Sequence, residues 1–182
     1  ASIRDQEIEL GKVNEEINAD PLKRQALAAE KIPSINQLHR KLDNSTAILS
    51  YHLSENDLLI LIVTAGKFDF RLEPINKQFY EEIEQLKTAL HQYSGEQRYS
   101  GNTAAGQLWK LLIGPAEGYL AQIKRLIIIP DDELHYLPFE VLQDERRRYL
   151  IEKYAIQYQY STALLGNQTG STGNQSLVSF AP

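Results

Sequence analysis

The chain has 182 residues, with no cysteine and no methionine. The missing cysteine excludes disulfide bonds, cysteine-ligated zinc and a thiol nucleophile within these residues, and the missing methionine predicts a piece cut from a longer protein. Lys and Arg number 19 against 24 Asp and Glu, a net charge of −5. This balance argues against a general nucleic-acid binder, which needs a basic surface.

The hydrophobic pattern predicts a cytoplasmic protein. The first residues are polar and acidic, unlike the basic and then apolar start of a secretory signal. The longest aliphatic run, Leu58–Val63, has six residues, whereas a membrane span needs about 20. From this hydrophobic pattern and the acidic net charge, we expect neither a membrane nor a nucleic acid as a partner.

Residues 1–45 have the spacing of helices. Apolar residues recur at intervals of seven, three and four, which places on one stripe Ile3, Leu10, Val13 and Ile17. Ser34 is placed to cap a short helix that starts at Ile35. The pattern predicts a helical arm, or the end of a helical repeat region, over 1–45, followed by a domain over 46–182.

The domain is predicted to begin with a three-strand meander over 47–75. Leu58–Thr64 is a continuous apolar run between turns, typical of a strand buried on both faces. In the next segment Phe68, Phe70 and Leu72 alternate with polar residues, which predicts a half-buried strand.

Helices and strands alternate further along the chain. Apolar spacing predicts a helix over 76–93, and Thr103 is placed to cap a second helix that Gly114-Pro115 should split. Arg125–Pro130 is the clearest strand, and a strand that follows a helix in this way favours a parallel sheet. Leu150–Tyr160 predicts another strand, and after Ser161 we expect a helical turn, a polar loop and a strand over Leu177–Pro182.

Asp131, Asp132 and His135 are the candidate site residues. They follow the strand that ends at Pro130, and open α/β sheets bind ligands outside the carboxyl ends of their strands. Two carboxylates and an imidazole could hold a divalent metal or exchange protons. The simpler interpretation is a turn in which the carboxylates bind the local backbone.

Other motifs carry no chemistry. Gly101 and Gly106 are not followed by the Lys-Ser/Thr pair of a phosphate loop, and no serine lies in a Gly-x-Ser-x-Gly context. His52 has no partner that the sequence identifies. The basic run Arg146–Arg148 lies beside Asp144 and Glu145, which favours a solvated hairpin tip.

The run Leu126–Leu142 reads LIIIPDDELHYLPFEVL and resembles the signature of CHAT domains, caspase-like domains found with tetratricopeptide repeats, mainly in bacteria. Weaker matches agree in order and spacing at Ile48–Leu53, Leu108–Pro115, Tyr149–Ile156 and Ser161–Leu165. The resemblance covers about residues 46–182. Asp132 stands where the family usually has glycine, which a turn tolerates.

The resemblance implies an α/β fold. We expect half of a caspase- or separase-like three-layer sandwich with a mixed, largely parallel sheet, preceded by the helical arm. The family's catalytic histidine and cysteine lie in later His-Gly and Ser-Ala-Cys elements, so His135 is not that histidine. The chain then resembles the N-terminal, pseudo-protease-like part, with no catalytic residue, metal or cofactor of its own.

Three functional hypotheses stay open at this point. The first is that the chain supports the catalytic half of a parent cysteine endopeptidase, whose substrate is a protein. The second is a non-catalytic scaffold or pseudo-enzyme that binds a protein partner. The third is a metal-dependent hydrolase that uses Asp131, Asp132 and His135.

Overall fold

The computed structural model describes residues 34–92 and 102–160. They belong to one compact unit, Pro33–Thr162. The helices predicted before residue 34, the polar loop at 94–101 and every element predicted after residue 160 lie outside the described residues. The predicted boundary at 45/46 stays a prediction.

The described residues form four α-helices, five strands and three 3₁₀ segments. Their order is α1 (Ile35–Lys41), β1 (Thr46–Leu53), β2 (Asp57–Thr64), β3 (Phe68–Pro74), α2 (Lys77–His91), α3 (Thr103–Leu112), a 3₁₀ segment (Gly114–Tyr119), β4 (Arg125–Ile129), two 3₁₀ segments (Asp132–Tyr136 and Phe139–Val141), α4 (Leu150–Lys153) and β5 (Ala155–Tyr158). The meander, both long helices and the strand before Pro130 are confirmed. The helix after Thr103 is split at Gly114-Pro115 as predicted.

The five strands form one mixed sheet in the order β3-β2-β1-β4-β5. The pairs β1–β2 and β2–β3 are antiparallel, whereas β4 runs parallel to β1 and β5 runs parallel to β4. The α/β class and the mixed sheet expected from the resemblance are confirmed. Because β1, β4 and β5 run in one direction, their carboxyl ends meet at one edge of the sheet.

Side-chain caps set the helix starts. The Ser34 hydroxyl accepts from the backbone N–H of Gln37 at 3.4 Å, and the Gln37 side chain accepts from the Ser34 N–H at 2.8 Å, so the predicted cap is confirmed as a capping box. The cap predicted at Thr103 is wrong by one residue. Asn102 caps α3, because its side-chain oxygen accepts from the Ala105 N–H at 2.8 Å.

The main core lies between the sheet and the pair of helices α2 and α3. The helices contribute Phe79, Ile83, Leu86, Leu108 and Leu112, and all five side chains are buried. The sheet contributes alternate residues of its three central strands: Ala47, Leu49, Tyr51, Leu58, Ile60, Ile62, Leu126 and Ile128. This period of two is the one expected of strands that bury one face against helices.

Burial in β2 and β3 differs from the prediction. Leu59 and Leu61 of β2 are half-buried and Val63 on the same face is buried, so that strand is buried throughout on its helix-facing side and in part on the other. In β3 the alternation is right but the faces are reversed, since Phe68, Phe70 and Leu72 are exposed. The polar side chains between them turn toward the helices, where a hydrogen-bonding partner is available (described below).

The strand predicted over Leu150–Tyr160 is too long. Its first four residues form the helical turn α4, and β5 starts at Ala155. The Glu152 side chain accepts from the Tyr149 N–H at 2.8 Å, which caps that turn. Leu150 is fully buried, and its N–H bonds to the Leu142 carbonyl at 2.9 Å. The Glu152 cap and the bond from the Tyr154 N–H to the Leu150 carbonyl at 3.0 Å favour a helical turn over an extended start.

Candidate functional site

Asp131 joins two strands at the carboxyl edge of the sheet. It follows β4, and its Oδ2 accepts from the Leu53 N–H at 2.9 Å and lies 2.9 Å from His52 Nδ1. Both partners belong to the carboxyl end of β1. The Asp131 carboxylate therefore links the carboxyl ends of β1 and β4. The His52 side chain remains 70% exposed.

Asp132 makes the turn that follows. Its φ is +46°, in the left-handed region that favours glycine and tolerates aspartate. The family's usual glycine at this position is explained by that angle. The turn leads into the 3₁₀ segment, in which the Leu134 N–H bonds to the Asp131 carbonyl at 3.0 Å.

His135 is exposed and lies apart from the Asp131 carboxylate. Its Nδ1 is 3.1 Å from the Asp132 carbonyl oxygen, and its ring stacks on Tyr160 at 6.3 Å between centroids. Asp131 therefore takes its imidazole partner from β1 instead of from its own loop. Across residues 34–92 and 102–160, no group of three or more His, Asp or Glu side chains is placed to hold a metal.

The apolar residues of the signature run are core residues. Two leucines before Pro138 and two apolar residues after it are buried: Leu134, Leu137, Phe139 and Leu142. Phe139 contacts the rings of Tyr51 and Tyr158, with centroids at 5.3 and 6.2 Å. The spacing of this run therefore serves packing under the carboxyl edge.

Tyr158 connects the signature run to β5. Its hydroxyl accepts from the Phe139 N–H at 2.9 Å and donates to Glu140 Oε2 at 2.7 Å. Burial, then the Glu140 carboxylate, raises the pKa of Tyr158 above its usual range. The hydroxyl thus stays protonated and keeps donating to Glu140 at neutral pH.

A shallow apolar groove lies at the same edge. It encloses about 730 Å³, and the residues that line it include Leu90, Pro130, His135, Tyr136, Leu137 and Tyr160. Tyr136 and Tyr160 are 74% and 84% exposed. Aromatic rings presented in this way are typical of surfaces that bind polypeptides.

The basic run Arg146–Arg148 forms the predicted hairpin tip. Arg148 Nε donates to Asp144 Oδ2 at 3.0 Å, and Gln143 and Tyr149 form the bridge that closes the hairpin. Burial raises the pKa of Asp144, but bonds from the Arg148 backbone and side chain outweigh it and lower that pKa below its usual value. Arg148 therefore stabilises the turn.

Sequence reasoning missed two contacts at the carboxyl edge. His52 and Asp131 are 79 positions apart, so no local motif links them. The role of Tyr158 was also missed, because the alternation of 150–160 gives no sign of a hydroxyl that binds Phe139. In the described part of the chain, no serine or threonine hydroxyl is hydrogen-bonded to a histidine.

The comparisons with known proteins agree with the signature run. A family model for the CHAT domain matches residues 102–179. No curated protein matches the chain. In the described ranges no helix is long and apolar enough to cross a bilayer.

Proposed function

We propose that this chain, whose residues 102–179 belong to a CHAT domain, supplies the N-terminal, non-catalytic part of a caspase-like cysteine endopeptidase. One observation carries the proposal: the signature run is used for structure. Its apolar side chains are core residues, and its polar groups tie β1, β4 and β5 together at the carboxyl edge.

Cysteine peptidase chemistry needs a thiolate and an imidazole within hydrogen-bond reach of each other. The sequence has no cysteine. The two histidines at the carboxyl edge have other partners, since His52 pairs with Asp131 and His135 stacks on Tyr160. In this proposal the nucleophile and its base come from outside these 182 residues, and this chain holds them in place.

The groove at the carboxyl edge is consistent with a structural role in which this chain contacts another polypeptide. Exposed aromatic rings beside apolar walls lower the free energy of a complex when a partner covers them. We assign that position to the catalytic half of the parent. The proposal includes a cytoplasmic protein with a protein substrate.

The test uses the complete reading frame that encodes this chain. We expect it to continue into His-Gly and Ser-Ala-Cys elements, and the purified product to cleave peptides. Substitution of that cysteine by alanine should abolish cleavage, and the 182-residue chain alone should be inactive. A parent that lacks the cysteine, or a 182-residue chain that cleaves peptides by itself, would contradict the proposal.

The exposure of Tyr136 and Tyr160 also favours a second function, a non-catalytic scaffold that binds a protein partner. In that case the parent reading frame lacks the catalytic cysteine. A partner identified by pull-down should then bind the wild type, and the double variant Tyr136→Ser/Tyr160→Ser should lose it. Peptidase activity that disappears on Cys→Ala would refute the scaffold.

A further inference from the structure

Strand β3 lies at one edge of the sheet, and its pairing with β2 shows which backbone groups point outward. The Thr64 N–H bonds to the Lys67 carbonyl at 2.9 Å, and the Ile75 N–H bonds to the Asn56 carbonyl at 2.8 Å. Bonded and non-bonded pairs alternate along an antiparallel ladder. Counting from either end, the residues whose backbone polar groups point away from β2 are Phe68, Phe70, Leu72 and Pro74.

The backbone N–H and C=O of Phe70, the central outward-facing residue, are hydrogen-bonded to the side chains of its two neighbours. The Phe70 N–H donates to Asp69 Oδ1 at 2.8 Å, and Arg71 Nη1 donates to the Phe70 carbonyl at 2.7 Å. Pro74 has no N–H to offer at the end of the strand. A free strand that approaches this edge therefore finds its middle donor and acceptor already bonded.

The two capping side chains are held in place from the helix side of the sheet. Asp69 and Arg71 form an ion pair at 2.9 Å, and Arg71 Nη2 donates to the Tyr119 hydroxyl at 2.8 Å. The Tyr119 hydroxyl in turn donates to Asp69 Oδ2. The Arg71 guanidinium also lies over the Tyr119 ring, 5.5 Å from its centroid. The caps are thus part of a network anchored outside β3.

On the opposite face of β3 an exposed apolar stripe, Phe68, Phe70 and Leu72, lies beside this closed edge. Antiparallel pairing with a second copy about Phe70 would place Phe68 opposite Leu72 and Asp69 opposite Arg71 of that copy. Apolar residues would then meet on one face and opposite charges on the other. An exposed apolar edge strand is a template for such pairing unless it is blocked.

We infer that the β3 edge is a strand-addition site for a second copy of this chain, and that Asp69 and Arg71 keep it closed in the monomer. The apolar match of Phe68 with Leu72 about Phe70 identifies the occupant, and it persists when the two charged side chains are removed. In this inference the caps at Phe70 oppose pairing at an edge strand that exposes three large apolar residues. This inference does not depend on the proposed function.

The test compares self-association of the full chain with and without the caps. In the variant Asp69→Ala/Arg71→Ala, sedimentation velocity should show a dimer dissociation constant lower than that of the wild type by about tenfold or more. Glu73→Ala is the matched control: Glu73 lies on the same strand and face without bonding to Phe70, so its dissociation constant should match the wild type. Unchanged association of the double variant would overturn the inference.

Two further measurements locate the contact. Leu72→Pro removes an outward N–H without disturbing the ladder with β2, so adding it to the double variant should restore the wild-type dissociation constant. Persistent association would assign the dimer to another surface and overturn the inference. In the wild type the Phe70 amide should exchange with solvent more slowly than those of Phe68 and Leu72. Equal rates would show that the cap does not form, and this measurement applies even if the double variant unfolds.

Discussion

The signature run at the carboxyl edge and the edge strand β3 both carry large apolar residues at regular positions, but they use them in opposite ways. Phe139 is fully buried between two tyrosine rings, whereas Phe70 is 57% exposed. The difference comes from position in the sheet. The signature run includes most of β4, and its later residues pack against Tyr51 of β1 and Tyr158 of β5, whereas β3 has a neighbouring strand on one side alone among the described residues. Regular spacing therefore identifies a face without telling whether that face is covered.

The largest expected difference between the two regions is in the effect of truncating Phe139 and Phe70 on stability. Phe139→Ala should lower the free energy of unfolding by about 3–5 kcal/mol, because it opens a cavity in the core. Phe70→Ala should change it by about 0.5 kcal/mol or less, the usual range for a surface position. Urea denaturation of both variants measures the difference. Equal losses would show that the β3 stripe is covered in solution.

The second prediction tests the bond between the signature run and β5. Tyr158→Phe leaves the buried Phe139 N–H without its acceptor, so we expect a loss of about 1–3 kcal/mol in unfolding free energy. Tyr160→Phe is the matched control, since its ring is 84% exposed and its hydroxyl has no hydrogen-bond partner among the described residues. A Tyr158→Phe protein as stable as the control would show that this hydroxyl does not stabilise the carboxyl edge.

The turn that opens the signature run is the third point of comparison. Asp132 has a φ of +46°, and a β-branched residue there should cost about 1–2 kcal/mol. We expect this loss in Asp132→Val. Asp132→Gly should stay within about 0.5 kcal/mol of the wild type, because glycine adopts the angle freely but loses more chain entropy on folding. Thermal denaturation at one pH distinguishes the two, and a destabilised glycine variant would contradict this explanation of the turn.

The smallest expected effect concerns acid. Asp144 and Asp69 both have a pKa below the usual value, so each stabilises the fold above the unfolded-state pKa and loses that contribution as pH falls through the folded-state value. Asp144 has a side chain that is 8% exposed, against 33% for Asp69, where solvent screens the charge. Between pH 6 and 2 the stability of Asp144→Asn should therefore fall less steeply than that of the wild type, and Asp69→Asn should differ little. The opposite order in acid denaturation would contradict the burial argument.

Local features of the fold could be predicted because they depend on neighbouring residues. The cap at Ser34, the break at Gly114-Pro115 and the buried strand before Pro130 each follow from short-range sterics or hydrogen bonds. The cap at Asn102 was missed by one residue, since Asn and Thr are both good caps and their backbone angles decide between them. The sequence predicts a strand at Leu150, because apolar alternation does not reveal its bond to the Leu142 carbonyl.

The candidate site shows the same division. Asp131, Asp132 and His135 were singled out by their place after a strand, and the structure separates them: Asp131 bonds to β1, Asp132 makes the turn and His135 stacks on Tyr160. The His52–Asp131 pair and the Tyr158 hydroxyl were missed. Both depend on strands that are distant in the chain and become neighbours through sheet topology.

The sequence by itself determined the α/β class, the resemblance of the signature run to CHAT domains and the lack of a thiol nucleophile, because composition and a long local motif carry that information. Tertiary structure decided which apolar faces are covered and which charges meet. The faces of β3 and the caps at Phe70 depend on where β3 falls in the sheet and on Tyr119, 48 residues beyond Arg71. Burial and pairing are properties of the assembled sheet, and no run of neighbouring residues contains them.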